Sequence, residues 1–220
     1  MGRRFVDQRR RDRFYRAAQR EGLRSRAAFK LAHLAERLSL LSAGDRVLDL
    51  GAAPGGWSLV ARDRVGPRGR VVAVDPRRIE PAEGVHVVHA RVGDPELSAR
   101  LGPEPFDAVL SDMSPSISGA YATDHARSVD LVRSAFTLAE QVLRPGGVFV
   151  AKVFAGDLVD ELMDDLRPSF ERLVRTKPPA SRAGSSEIYL VGAGFRRRRP
   201  AAERPTPPTG AAPPRVPSHI

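Results

Sequence analysis

Cysteine is absent from this chain, and lysine nearly so. Without cysteine there is no disulfide framework and no thiolate chemistry. Long apolar runs are missing as well, the longest being strand-sized, so no membrane span is expected. The arginine-rich start is not followed by the apolar segment of a signal peptide, and Asp7, Asp12 and Glu21 speak against an acid-poor transit sequence. The expectation is a cytoplasmic protein with no membrane partner. Its 220 residues, 41% hydrophobic, suffice for one good core but hardly for two.

The scarcity of lysine is itself informative. Of 36 basic residues only Lys30, Lys152 and Lys177 are lysines. Where arginine serves nearly every surface role, a surviving lysine points to a task that a guanidinium cannot perform, and the foremost such task is giving up a proton. Lys152 lies within the apolar run V-F-V-A-K-V-F, where a solvated lysine is unusual; an edge-strand lysine is the plain alternative. Lys30 shares the polar side of a helical pattern with His33 and Arg37, opposite Leu31, Leu34 and Leu38, and by itself reads as a solvated helix lysine.

Charge is unevenly spread over the chain. Residues 1–26 carry ten Arg against three acids, a net +7, and residues 196–220 carry six Arg against one acid, a net +5. The stretch between them is near −2, although the whole chain is +10. This layout divides the chain into a basic N-terminal arm (1–25), a nearly neutral domain (26–195) and an Arg/Pro-rich tail (196–220). Basic arms of this kind suit nucleic-acid phosphates, and solubilising tails are the plain alternative. Phe5, Phe14 and Tyr15 among the N-terminal arginines would anchor a short helix or stack on bases.

Strand-like runs occur at 46–50, 70–75, 85–90, 106–111, 147–154 and 186–192, and helical stretches at 25–38, 56–65, 95–101, 123–143 and 157–166. Strand and helix in alternation predict an α/β fold, a mostly parallel Rossmann-like sheet with helices on both faces. Ligands of such sheets bind at the carboxyl ends of the strands, which places Asp49, Asp75, Asp112 and Lys152 on one rim. His86 and His89 fall on opposite faces of their strand and make a poor metal pair, so no metal is expected.

Residues 47–57, V-L-D-L-G-A-A-P-G-G-W, join an apolar strand to an acid and a glycine-rich turn. Gly51, Gly55 and Gly56 allow close backbone approach to a ligand, and the following helix points its positive end there. A P-loop would need lysine where Trp57 stands, and a dinucleotide turn would need glycine at Ala53. A compact amino-acid carboxylate with one nucleoside suits the turn better, and S-adenosyl-L-methionine is such a ligand. Asp75, ending the next strand, is placed to take both ribose hydroxyls.

Five segments, G-L-R-S-R-A-A-F-K-L, V-L-D-L-G-A-A-P-G-G-W-S, S-D-M-S-P, L-R-P-G-G-x-F-V-A-K-V-F and S-R-A-x-x-S-E-I-Y, together resemble the FtsJ/RrmJ family of ribose 2′-O-methyltransferases, the large-subunit methyltransferase E type among them. The resemblance runs in order over residues 21–195. It implies a class I methyltransferase fold with a seven-stranded sheet, S-adenosylmethionine as donor, and a catalytic tetrad at Lys30, Asp112, Lys152 and Glu187. It also implies a backbone contact from Trp57 to the donor's methionine end, and donor contacts from Asp49, Gly51, Gly55, Asp75 and Asp112. A uridine ribose of 23S ribosomal RNA is the implied acceptor; transfer RNA, a small molecule, or a role as an RNA-binding assembly factor with weak catalysis are the alternatives. A monomer without affinity for DNA is expected.

A lysine in water is neutral in only about one molecule per thousand at neutral pH, and burial beside a second cation lowers the cost of neutrality. Lys152 is therefore assigned as general base. Lys30 would orient the ribose, Glu187 would fix the lysine heads, and Asp112 would lie beside the donor. Four positions depart from the family pattern: Arg91 stands where an acid would meet the adenine amino group, with Asp94 as its substitute, and Ser116, Ala155 and Ser186 replace Asn, Gln and Arg.

Overall fold

The structure, a computed structural model, describes residues 27–179 and 185–197. The N-terminal arm, with its three aromatic residues, and nearly all of the C-terminal tail lie outside the described residues. In chain order the elements are α1 (Ala27–Leu38), β1 (Arg46–Leu50), α2 (Gly56–Val65), β2 (Arg70–Val74), β3 (Val85–Val88), α3 (Leu97–Leu101), β4 (Phe106–Ser111), α4 (Tyr121–Val142), β5 (Leu143–Phe154), α5 (Leu158–Leu166), a 3-10 turn (Arg167–Ser169), β6 (Phe170–Thr176) and β7 (Glu187–Phe195).

The seven strands form one sheet in the order β3-β2-β1-β4-β5-β7-β6. All neighbours through β5 pair in parallel, and β7 enters antiparallel between β5 and β6. Strands buried on both faces need apolar residues at nearly every position, as R-V-L-D-L and R-V-V-A-V supply. Alternation along β1 then sorts the core. Val47 packs with Leu31 and Leu34 of α1 and Trp57 of α2 on one face, while Leu48 and Leu50 share the other with Val129, Val132 and Phe136 of α4. The strand order reverses between β1 and β4, which opens a crevice at the carboxyl edge there.

The sequence pattern showed six strands; the structure adds β6. Its residues F-E-R-L-V-R-T bury only Phe170 and Leu173, because an edge strand needs a single anchored face and tolerates charge on the rest. Strand β7 also runs on to Phe195, past the glycines at which the apolar pattern stops. A Cβ at Gly192 would meet the Phe170 ring at 2.8 Å, so the small residue there admits a neighbouring ring. No helix among the described residues is long and apolar enough to cross a membrane.

Candidate active site

The two lysines are drawn together by different elements. Lys152 stands on β5, an interior strand between β4 and β7, and is 7% exposed, which removes the edge-strand alternative. Lys30 is 6% exposed, so the solvated helix lysine read from the pattern is corrected: α1 lies with this side chain against β7. A helix with His33 and Arg37 on the same side looks solvated in sequence, since the strand that covers its first turn arrives 157 residues later.

Antiparallel pairing of β5 with β7 sets Lys152 opposite Tyr189 and Phe154 opposite Glu187. Residues two apart in a strand share a face, so Glu187 and Tyr189 both project toward the lysines. Lys30 Nζ lies 2.5 Å from Glu187 Oε2, and Lys152 Nζ lies 3.2 Å from Asp112 Oδ1 and donates to the Asp112 carbonyl at 2.9 Å. The four residues of the expected tetrad therefore assemble at one place, as two crossed pairs. Glu187 holds the head of Lys30, and Asp112 holds that of Lys152. The single clamp expected of Glu187 is thus divided between two carboxylates, because Glu187 lies two residue pairs farther along the ladder than Tyr189 does.

Tyr189 completes the arrangement, and the sequence reading gave it no role. It is fully buried, its hydroxyl donates to Asp112 Oδ1 at 3.0 Å, and Lys30 Nζ sits 5.7 Å from its ring centroid. Burial and the adjacent Asp112 carboxylate push its phenol well above the ordinary range, so it stays a donor. The signal was present in S-E-I-Y, where Glu and Tyr are spaced for one strand face. Burial pushes the Glu187 carboxyl upward, but the charge and hydrogen bond of Lys30 outweigh it with the help of Lys152 and Ser185, and the net shift is downward. Glu187 is thereby an anion at neutral pH.

Beside this cluster lies a cavity of about 600 Å³ at the crevice between β1 and β4. Gly51, Ala53, Asp75, Arg77, Arg91, Asp112 and Ser116 are among its lining residues. Gly51 adopts φ +72°, and a Cβ on it would stand 2.6 Å from Met113 Cγ, so both conformation and space require glycine. Gly55 precedes α2 with φ 106° and aims the positive end of that helix at the rim. Asp75 is buried at the end of β2 and accepts from Ala53 N at 3.0 Å and from Arg77 N at 2.7 Å. The Arg77 side chain adds Nε at 3.1 Å and Nη2 at 3.1 Å, which fills the carboxylate. Burial alone would raise the Asp75 carboxyl; these donors bring it below its ordinary value.

Three residues expected at the donor also engage other groups of the protein. Asp49 is sealed beneath the turn at 0% exposure, with Oδ2 accepting from Ser58 Oγ at 2.6 Å and Oδ1 without a hydrogen-bond partner. Burial, together with Asp112 and Asp75, pushes its carboxyl up to about 7 against the pull of Ser58. Trp57 packs its ring 5.7 Å from that of Tyr189 and donates Nε1 to the Ala27 carbonyl at 2.8 Å, tying α2 to the start of α1. Asp94 is exposed and turns Oδ2 onto the Arg91 N–H at 2.7 Å, while Arg91 and Val92 line the cavity. The residues that line it suit an adenosyl ligand: a volume of the right class, a turn of glycines and small side chains, and the Asp75 carboxylate at the end of β2.

A family model described as FtsJ-like methyltransferase matches residues 23–195. The chain belongs to the FtsJ-like methyltransferase family. Methyl donation in FtsJ-like enzymes comes from S-adenosylmethionine, in keeping with the turn and Asp75. Several relatives carry the name ribosomal RNA large subunit methyltransferase E. That of Methanothermobacter thermautotrophicus is 46% identical over 201 residues, 89% of this chain and 95% of the relative. That of Syntrophobacter fumaroxidans is 47% identical over 191 residues, 85% and 97% respectively. Among solved structures, a protein of Plasmodium falciparum described as a ribosomal RNA methyltransferase superposes with a TM-score of 0.71 at 28% identity, covering 78% of this FtsJ-like chain and 98% of its own.

Proposed function

We propose that this enzyme methylates a ribose 2′-OH, that of a uridine in the 23S RNA of the large ribosomal subunit, acting as a monomer in the cytoplasm. The observation that carries the reading is Asp112, which lines the donor cavity and at the same time holds Lys152. Donor and acceptor chemistry meet at that carboxylate. The names of the curated relatives support ribosomal RNA as the acceptor.

S-adenosylmethionine, when bound, supplies an electrophilic methyl group on a sulfonium whose thioether leaves uncharged. Gly51, the turn before α2 and Asp75 would hold it. Lys152, as general base, would take the 2′-OH proton of the acceptor ribose and afterwards pass it to water. Asp112 and its donor Tyr189 keep that amine at the cavity mouth. Lys30, fixed by Glu187, brings positive charge beside Lys152 and orients the ribose.

The basic arm 1–25 and the tail 196–220 grip RNA phosphates around the catalytic domain 26–195. Mapping 2′-O-methyl groups in total RNA with and without this protein tests the acceptor: loss of one methylated uridine in 23S RNA is expected, and loss confined to transfer RNA would overturn the assignment. Deleting residues 1–20 is expected to weaken RNA binding and flatten its salt dependence by about 0.7 to 0.9 in log–log slope per lost phosphate contact. An unchanged slope in filter binding would assign the grip to the domain itself.

A further inference from the structure

We propose that Tyr121 is a stacking platform for a base of the acceptor RNA adjoining the methylated nucleotide. The proposal rests on the RNA-methyltransferase reading above and deepens it by locating the path of the strand. Among the described residues the exposed large hydrophobic side chains are Ile117 at 65%, Tyr121 at 61% and Leu158 at 37%. All three belong to the segments that follow β4 and β5, at the rim where Asp112 and Lys152 stand. Apolar side chains scattered singly need no explanation, but exposure gathered beside an active site marks a contact surface.

Tyr121 is held in place before any partner arrives. Its hydroxyl donates to the Ala155 carbonyl, and its ring lies 6.1 Å from that of His125 at an interplanar angle of 14°. His125 is itself locked: it is buried, Nδ1 lies 3.0 Å from the Phe154 carbonyl, and Nε2 accepts from Leu158 N at 3.1 Å. Asp124 fixes the preceding loop by accepting from Ser118 N at 2.8 Å, Ser118 Oγ at 2.8 Å and Gly119 N at 3.1 Å. A ring ordered in advance loses little freedom when a base settles on it.

The anchor also fixes the distance to the chemistry. Ala155 comes three residues after Lys152, just past the end of β5, roughly 10 Å at strand rise, and its N–H donates to the Ser186 carbonyl beside Glu187 at 2.7 Å. This separation suits a neighbouring nucleotide and not the target ribose. Exposed Arg127, six residues along α4 from Tyr121, reaches back to the preceding loop with Nη1 3.5 Å from the Ser116 carbonyl and brings a cation for the intervening phosphate. Ring and cation together fit single-stranded nucleic acid, whose bases stack on aromatic faces whatever their sequence.

The test uses the full-length protein, labelled S-adenosylmethionine, and an acceptor RNA fragment carrying 2-aminopurine next to the methylated position. Tyr121→Ala is expected to raise KM for RNA by about 5- to 150-fold, the range of one base–aromatic stack, with kcat and cofactor Kd within about twofold. Tyr121→Phe keeps the ring and stays close to wild type, whereas Tyr121→Leu keeps an apolar side chain and behaves like alanine. Wild type quenches the 2-aminopurine, and the alanine variant does not. Unchanged KM and quenching in Tyr121→Ala, or equal losses in Tyr121→Phe and Tyr121→Ala, would overturn the platform. A wild-type protein that methylates no RNA would instead overturn the function on which it rests.

Discussion

The donor half and the acceptor half of the site are built from different materials. The donor cavity is shaped by backbone, by glycine conformations at residues 51 and 55, a helix end and one anchored carboxylate, Asp75. The acceptor half consists of charged side chains paired across elements far apart in the chain, Lys30 with Glu187 and Lys152 with Asp112. Under the proposed function, backbone shape serves donor binding while the paired charges serve the proton transfer. Substitutions should therefore separate binding from turnover.

The largest separation is expected at Lys152. Lys152→Ala and Lys152→Arg each lower kcat by about 10² to 10⁴, the usual worth of a general base, while calorimetry shows S-adenosylmethionine affinity near wild type. Wild-type turnover in either variant would remove Lys152 as the base. On the donor side, Asp75→Ala should weaken cofactor binding by about 1 to 3 kcal/mol through lost charge-assisted hydrogen bonds. Arg77→Ala should act in the opposite sense and more weakly, because it deletes the side chain that competes for Asp75. A parallel loss in both variants would mean that Arg77 serves the cofactor.

Smaller effects sharpen the boundary between the halves. Tyr189→Phe removes one hydrogen bond to Asp112, worth about 1 kcal/mol, so kcat should fall roughly fivefold with cofactor affinity intact. Asp49 belongs to neither half by contact, and its effect should appear in stability. Its folded value of about 7 lies above that of the unfolded chain, so between about pH 4 and 7 the native state retains a proton that the unfolded state has released. Stability is then lost as pH rises through that window and is constant above it. Melting of Asp49→Asn and wild type from pH 5 to 8 should show the variant gaining on wild type by a few degrees, roughly, as pH rises. A pH-independent difference would contradict the buried, proton-binding carboxyl.

Position in the fold explains which residues were legible in advance. Lys152 announced itself as a lone lysine in an apolar strand, and Gly51 as a glycine between strand and helix, since both signals are local. Lys30 was recognised only through the G-L-R-S-R-A-A-F-K-L resemblance, because its helix alone looks solvated. Tyr189 went unassigned, and strand β6 unseen, because edge strands and strand faces acquire meaning only when their neighbours are known. The resemblance also could not show that Arg77 fills the Asp75 carboxylate or that Asp94 spends its own on the Arg91 backbone.

By itself the sequence determined the alternation of strand and helix, the glycine turn, the rim on which the acids fall and the chemical kinds of the four tetrad residues. Periodicity and residue type carry that information locally. Only the tertiary structure decided how the charges pair, that Glu187 clamps Lys30 and Asp112 clamps Lys152, because partners 157 and 40 residues apart meet through the antiparallel register of β7 and the parallel register of β4 with β5. A one-residue slip in either ladder would turn those side chains to the opposite face of the sheet.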